Sequence, residues 1–212
     1  MATHYDDEAQ VDAIKSWWKE NWLALVGGLG LGLAAIFGWQ TYQQSGEGRA
    51  DRAAQMYSDL RNAQADSRTE AVAEIRGTLV SDYAKTPYAA LAQLKWAAQS
   101  LKDERLDEAR DALDWVVNNS SDDGLKAVAR LRLARISLEA GDADAALAAL
   151  TPVPSGFESL YLETRGDALL LKGERADARG AYDEALAAVE PNAPYRGQLQ
   201  RKRDDLNEAS SS

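Results

Sequence analysis

The sequence holds no cysteine, a single histidine (His4), two phenylalanines and five prolines. Without thiols there is no disulfide framework, no thiolate metal site and no thiolate nucleophile. One histidine near the N-terminus leaves almost nothing from which to build an imidazole metal site, a general base or a triad. No phosphate-cradling glycine loop occurs, because the glycines of "GGLGLG" stand inside an apolar run. The chain therefore reads as a non-enzyme with no cofactor, no metal and no small-molecule substrate. Cations are scarce too: 24 Lys and Arg against 34 Asp and Glu give a net charge of −10. A nucleic-acid backbone needs clustered Lys and Arg, so nucleic acid is not the expected partner. The length of 212 residues allows one or two compact units.

Charge of either sign is missing altogether between Glu20 and Glu47. The run "NWLALVGGLGLGLAAIFGW" lies inside that gap. As a helix, Trp22 to Trp39 would extend about 27 Å, close to the hydrocarbon thickness of a bilayer. Trp22 at one end, with Trp39 and Tyr42 at the other, stand where interfacial aromatic belts are expected. A cleaved signal peptide fits poorly. The preceding tail sets Asp6, Asp7, Glu8, Asp12 and Glu20 against Lys15 and Lys19, and "GWQTYQQSGEG" offers no small-x-small cleavage site. A buried core helix would show a polar face, and none is evident. The stretch predicts an uncleaved transmembrane helix over 22–42. Within it, Gly28 and Gly32 have the spacing that lets another helix approach, or they reflect how common glycine is in such spans. Lys15 and Lys19 on one flank and Arg49 and Arg52 on the other do not choose an orientation. In the tail, residues 1–21, Val11, Ile14, Trp18 and Trp22 recur at helical spacing. They form an amphipathic helix on the membrane surface or simply extend the span.

Beyond the span, "QTYQQSGEG" reads as a polar linker, and the pattern then turns helical to the C-terminus. Turn signals interrupt it at Thr86-Pro87, Asn118–Gly124, Ala140–Asp142, Thr151–Gly156, Lys172–Glu174 and Glu190–Pro194. Three segments align: "LKDERLDEARDAL", "LEAGDADAALAAL" and "LLKGERADARGAYDEAL". Ala109, Ala146 and Ala178 fall at equivalent places in them, at intervals of roughly 35 residues. The units resemble the tetratricopeptide repeat, a helix pair of about 34 residues. The third copy matches best, with Gly166, Gly173, Ala178, Tyr182 and Ala185 on the family's small, turn and aromatic positions. The second keeps Leu133, Ala134, Gly141 and Ala146 but ends early at Pro152. The first has Glu104 where the turn glycine belongs. The expected fold is all-α: one N-terminal transmembrane helix, then a tetratricopeptide-repeat-like α-solenoid. Its divisions are a linker and degenerate capping helix pair over 43–87 and three repeats over 88–194. A capping helix and a disordered tail occupy 195–212. The basic cluster Arg201, Lys202, Arg203 reads as a solvated helix face, because Asp204 and Asp205 follow at once.

The tail and span "EAQVDAIKSWWKENWLALVGGLGLGLAAIFGW", together with "DDGLKAVARLRLARISLEAGDADAALAAL", resemble the YfgM family, ancillary subunits of the bacterial SecYEG translocon. The resemblance covers almost the whole chain. It implies a single-pass protein of the bacterial inner membrane with a cytoplasmic N-terminus and periplasmic repeats. It also implies partnership with the SecYEG translocon, and a link to periplasmic chaperones such as a membrane-anchored peptidyl-prolyl isomerase. A second function stays open, in which the acidic N-terminal tail holds a cytoplasmic response regulator.

In tetratricopeptide arrays the first helix of each pair lines the binding groove. By that resemblance the groove positions are Leu91, Leu94, Ala98, Leu101 and Lys102 in the first copy. They are Val128, Leu131, Arg135, Leu138 and Glu139 in the second, and Leu160, Glu163, Asp167, Leu170 and Leu171 in the third. Such a groove would receive an extended apolar segment or a partner helix; alternatively, these leucines only pack one repeat on the next. Asn is absent from these helices, so the family's carboxylate clamp is not expected.

Overall fold

The computed structural model describes the backbone of residues 4–208. It describes side chains over 48–206 and, before that, at 17–19, 21–22, 27–28, 31–33 and 35–37. Among the described residues the structure is helical, with no strand. The elements are α1 (His4–Ala65), α2 (Thr69–Asp82), α3 (Pro87–Lys102), α4 (Leu106–Asn119) and α5 (Asp123–Glu139). They continue with α6 (Ala143–Ala149), α7 (Glu158–Leu171), α8 (Arg175–Ala188) and α9 (Arg196–Glu208). The chain divides into two units, Met1–Arg49 and Ala50–Ser212. The tail expected to be disordered, "SSS" at 210–212, lies outside the described residues.

From residue 4 on, the backbone of the first unit is helical, and the polar segment 40–48, expected as a linker, belongs to α1. Gln, Tyr and Glu are ordinary helix formers. Gly46 and Gly48 each cost about 1 kcal/mol relative to alanine, which flanking turns can carry. Trp17, Trp18, Trp22, Leu31, Leu33 and Ile36 are exposed. Counted at about 100° per residue, Leu31, Ile36 and Leu33 fall near 0°, 140° and 200° around the axis, so apolar exposure is not confined to one face. A Cβ placed on Gly28 or Gly32 would meet nothing within 4 Å. Among the described residues no helix is long and apolar enough to cross a membrane. Much of the expected span 22–42, and Val11 and Ile14 before it, lie outside the described side chains.

The second unit is built from helix pairs joined by one kind of turn. Ser67, Glu104, Gly141 and Gly173 each take positive φ, at 58°, 59°, 79° and 82°. In each turn the next residue's N–H reaches back five positions to a carbonyl of the preceding helix. These bonds are Arg68 to Ala63 (2.8 Å), Arg105 to Ser100 (2.8 Å), Asp142 to Ser137 (2.8 Å) and Glu174 to Leu169 (2.9 Å). This is the Schellman closure of a helix end, which favours glycine at the left-handed residue. The segment ending at Ala65 thus pairs with α2 just as α3 pairs with α4, α5 with α6 and α7 with α8. Helix starts are set locally: Asp122 and Asp142 accept from the Leu125 and Ala145 amides at 2.9 Å each, and Pro87 opens α3.

Small residues let the helices close. Ala109, Ala146 and Ala178 are wholly buried at the start of α4, α6 and α8. On α7, a Cβ at Gly166 would press into the Tyr182 ring of α8. Leu113 and Leu199 are completely buried, each contributing about 1.5–3 kcal/mol through apolar burial. The last helix seals the array, with Leu199 and Leu206 packed into the cluster of α8 residues Tyr182, Ala185 and Leu186. Lys202 departs from the solvated face expected of it. Its ammonium bonds Glu163 Oε1 at 2.8 Å and the Asp167 carboxylate at 2.9 and 2.8 Å. Partners 35 and more residues away cannot be read from local charge order.

Candidate interaction site

The groove positions do not form one continuous surface. Leu94 is buried in a core with Leu113 and Val116, against which Leu101 and Val128 pack. Leu131 is buried in a different core with Tyr161, against which Leu138 and Leu160 pack. Leu91 and Ala98 are half-buried, whereas Lys102, Arg135, Glu139, Leu170 and Leu171 are exposed. Between α3 and α5 the Arg132 guanidinium donates to the Leu94 carbonyl at 3.0 Å. Burial holds its pKa below the usual arginine value, and repulsion from Arg135 adds to this. On α7, Glu163 and Asp167 are engaged by Lys202, and Asp167 also accepts from the Tyr182 hydroxyl at 2.7 Å.

The larger recess lies elsewhere, roughly on the opposite side of α3. Leu91, Leu94, Ala98 and Leu101 share one stripe of the helical wheel; Gln93 and Trp96 stand about half a turn away. There a cavity of about 500 Å³ opens between α2, α3 and α4, lined by Arg76, Gln93, Trp96, Glu108, Asp111 and Trp115 among others. A smaller one of about 170 Å³ is also lined by Trp96, together with Leu60, Arg68 and Gln99 among others. Two guanidinium groups lie over the Trp96 indole, Arg76 at 4.4 Å and Arg105 at 5.1 Å from a ring centroid. Cation–π contacts of this kind contribute about 0.5–2 kcal/mol, more as water is excluded.

The two arginines differ in what neutralises them. Arg105 is tied to Asp103 and to Glu108, each at 2.8 Å. Among the described residues Arg76 makes no ion pair: its Nη1 donates to the buried Gln93 Oε1 at 2.8 Å, and its Nε is buried with no acceptor. Burial pushes the Arg76 pKa down, with Glu108 opposing. Sequence reasoning passed over these residues because they sit outside the repeat's groove positions. One signal was present: Trp96 and Trp115 are the only tryptophans after residue 50, and both line this recess.

Stacked helix pairs with small residues at their crossings, turns closed by a left-handed residue and a sealing terminal helix define a tetratricopeptide-repeat-like solenoid. The family described as tetratricopeptide repeat-like domain matches residues 15–208. The ancillary SecYEG translocon subunit of Escherichia coli (strain K12) is 32% identical over 187 residues, covering 88% of this chain and 90% of that protein. The protein of that name from Neisseria gonorrhoeae is 31% identical over 208 residues, covering 97% of this chain and 100% of its own. That from Aggregatibacter actinomycetemcomitans is 31% identical over 187 residues, 87% of this chain and 91% of its own. No solved structure matches the chain. The chain belongs to the tetratricopeptide repeat-like family of ancillary SecYEG translocon subunits, the YfgM family.

Proposed function

We propose that this protein is an accessory of the SecYEG translocon, anchored by its N-terminal helix and carrying an interaction solenoid that engages other proteins. The observation that carries the reading is end-to-end likeness to proteins of that name, 97% of this chain against 100% of the Neisseria relative. The finer reading places the anchor over 22–42 in the bacterial inner membrane, the N-terminus in the cytoplasm and the solenoid in the periplasm. Exposed Leu31, Leu33 and Ile36 on different sides of α1 support a lipid-facing helix, and the bare Gly28 and Gly32 give a second helix room to approach. The solenoid then hands translocated chains toward periplasmic chaperones, a membrane-anchored peptidyl-prolyl isomerase among them. Exposed Arg135 and Leu170 are the groove positions open to such partners.

The test is affinity purification of the full-length chain from gently solubilised membranes, with copurifying proteins identified by mass spectrometry. Translocon subunits and an isomerase should be recovered, and the translocon lost when 22–42 is exchanged for an unrelated span. Arg135→Glu should lower isomerase recovery at unchanged stability, whereas Leu131→Asp should unfold the solenoid by burying a charge. Recovery of only cytoplasmic proteins, such as a response regulator, would overturn the reading.

A further inference from the structure

We infer that the recess between α2, α3 and α4 is a peptide-binding site, taking an extended polypeptide segment that presents an acidic side chain to Arg76 between apolar neighbours. It is separate from the helix positions expected to line the groove, and it stands whether or not the chain sits at the translocon.

The cation comes first. Of the two arginines that line the recess, Arg76 is the one with no ion pair among the described residues, in a chain whose net charge is −10. Its guanidinium is fixed on two sides, by the Trp96 face at 4.4 Å and by Gln93 Oε1 at 2.8 Å. A planar donor fork held this way has already lost its rotamer freedom, the preorganisation that makes arginine suited to a carboxylate. Glu108 lines the same recess and acts on Arg76 without bonding it, so a carboxylate brought against the guanidinium adds the direct ion pair that this desolvated group lacks among the described residues.

The walls then say which carboxylate. Trp96 and Trp115 are half-buried in the lining, giving flat apolar surface for side chains on either side of the acid. Asp111 on α4 also lines the recess, and its carboxylate, an acceptor, has no ionic or hydrogen-bonding partner among the described residues. Acceptors call for N–H donors. A free carboxylate metabolite has none, and an extended peptide backbone offers one at every residue. A volume of about 500 Å³ falls in the range that small ligands and short peptide segments fill.

The experiment titrates the full-length chain in detergent into fluorescent, end-blocked heptapeptides with Leu, Phe or Val flanking a central Glu, reading anisotropy. At least one Glu peptide should bind about tenfold or more tightly than its central-Gln counterpart, the factor expected of one charge-assisted hydrogen bond. Arg76→Met should abolish the difference, while Arg165→Gln, at an exposed position outside the recess, should keep it. The Glu–Gln comparison on the unaltered chain decides the matter even if Arg76→Met fails to fold. Equal binding of Glu and Gln peptides, no binding at all, or binding only of peptides with a free C-terminal carboxylate would overturn the assignment.

Discussion

The Tyr161 hydroxyl donates to the Ala127 carbonyl at 2.8 Å, across 34 positions of sequence, which is one repeat. Tyr161 is completely buried on α7 and Ala127 lies on α5, so the bond ties equivalent helices of neighbouring pairs. Removing the oxygen in Tyr161→Phe leaves the ring packing in place. The expected cost is about 1 kcal/mol, the net worth of one such bond. Urea unfolding followed by circular dichroism should show this, and an unchanged midpoint would mean the bond contributes nothing.

The four equivalent turns make a prediction with two signs. Glu104 occupies the left-handed position at φ 59°, and its exposed side chain has no partner among the described residues. A side chain there costs about 1–2 kcal/mol, partly offset by glycine's freedom in the unfolded chain. Glu104→Gly should therefore stabilise by up to about 1 kcal/mol. Gly141→Ala, at φ 79°, should destabilise by about 1–2 kcal/mol. Thermal melts of the two variants should move in opposite directions.

Gly166 on α7 lies against the Tyr182 ring of α8 with no room for a Cβ. Gly166→Ala should destabilise by about 1–3 kcal/mol, the usual cost of overpacking. In a Tyr182→Leu background the ring is gone. The same alanine should then be neutral, or stabilise by up to about 1 kcal/mol through helix propensity. A double-mutant cycle reads the coupling, and independent effects would contradict the contact.

Alkaline pH should loosen the solenoid's end. Burial pushes the Tyr182 phenol above its ordinary 10.0, and the Asp167 carboxylate it donates to pushes the same way. Burial pulls the Lys202 ammonium down from 10.5, but Asp167 and Glu163 outweigh it, so its pKa ends raised. Both folded-state values lie above those of the unfolded chain. Their stabilising contribution is complete below about pH 10 and is lost as pH rises through the folded values. Urea midpoints should be flat up to about pH 9.5 and fall beyond it, less steeply in Tyr182→Phe. An equal fall in both proteins would contradict the assignment.

The repeats were legible because their determinants are local. Ala109, Ala146 and Ala178 mark the helix crossings, Gly141 and Gly173 the turns, and Glu104 stands at positive φ where the turn glycine was expected. The early end of the middle copy also shows, since α6 stops at Ala149, before Pro152. Three features were not legible. The segment 40–48 is helical because its two glycines cost less than the flanking helix can carry. Lys202 is paired with carboxylates that only the fold brings to it. The recess at Trp96 draws on three helices, and Arg76, one of its two arginines, lies on the degenerate pair where repeat positions gave no guide.

The most direct test of the central claim is a binding titration between the purified full-length chain and purified SecYEG, each in lipid nanodiscs or coreconstituted, read by a distance-sensitive fluorophore pair. Saturable association with the intact chain, lost when 22–42 is exchanged for an unrelated apolar helix, is the result the account expects. No association above an unrelated single-span protein, or association that ignores the exchange, would contradict a translocon accessory held through its membrane anchor.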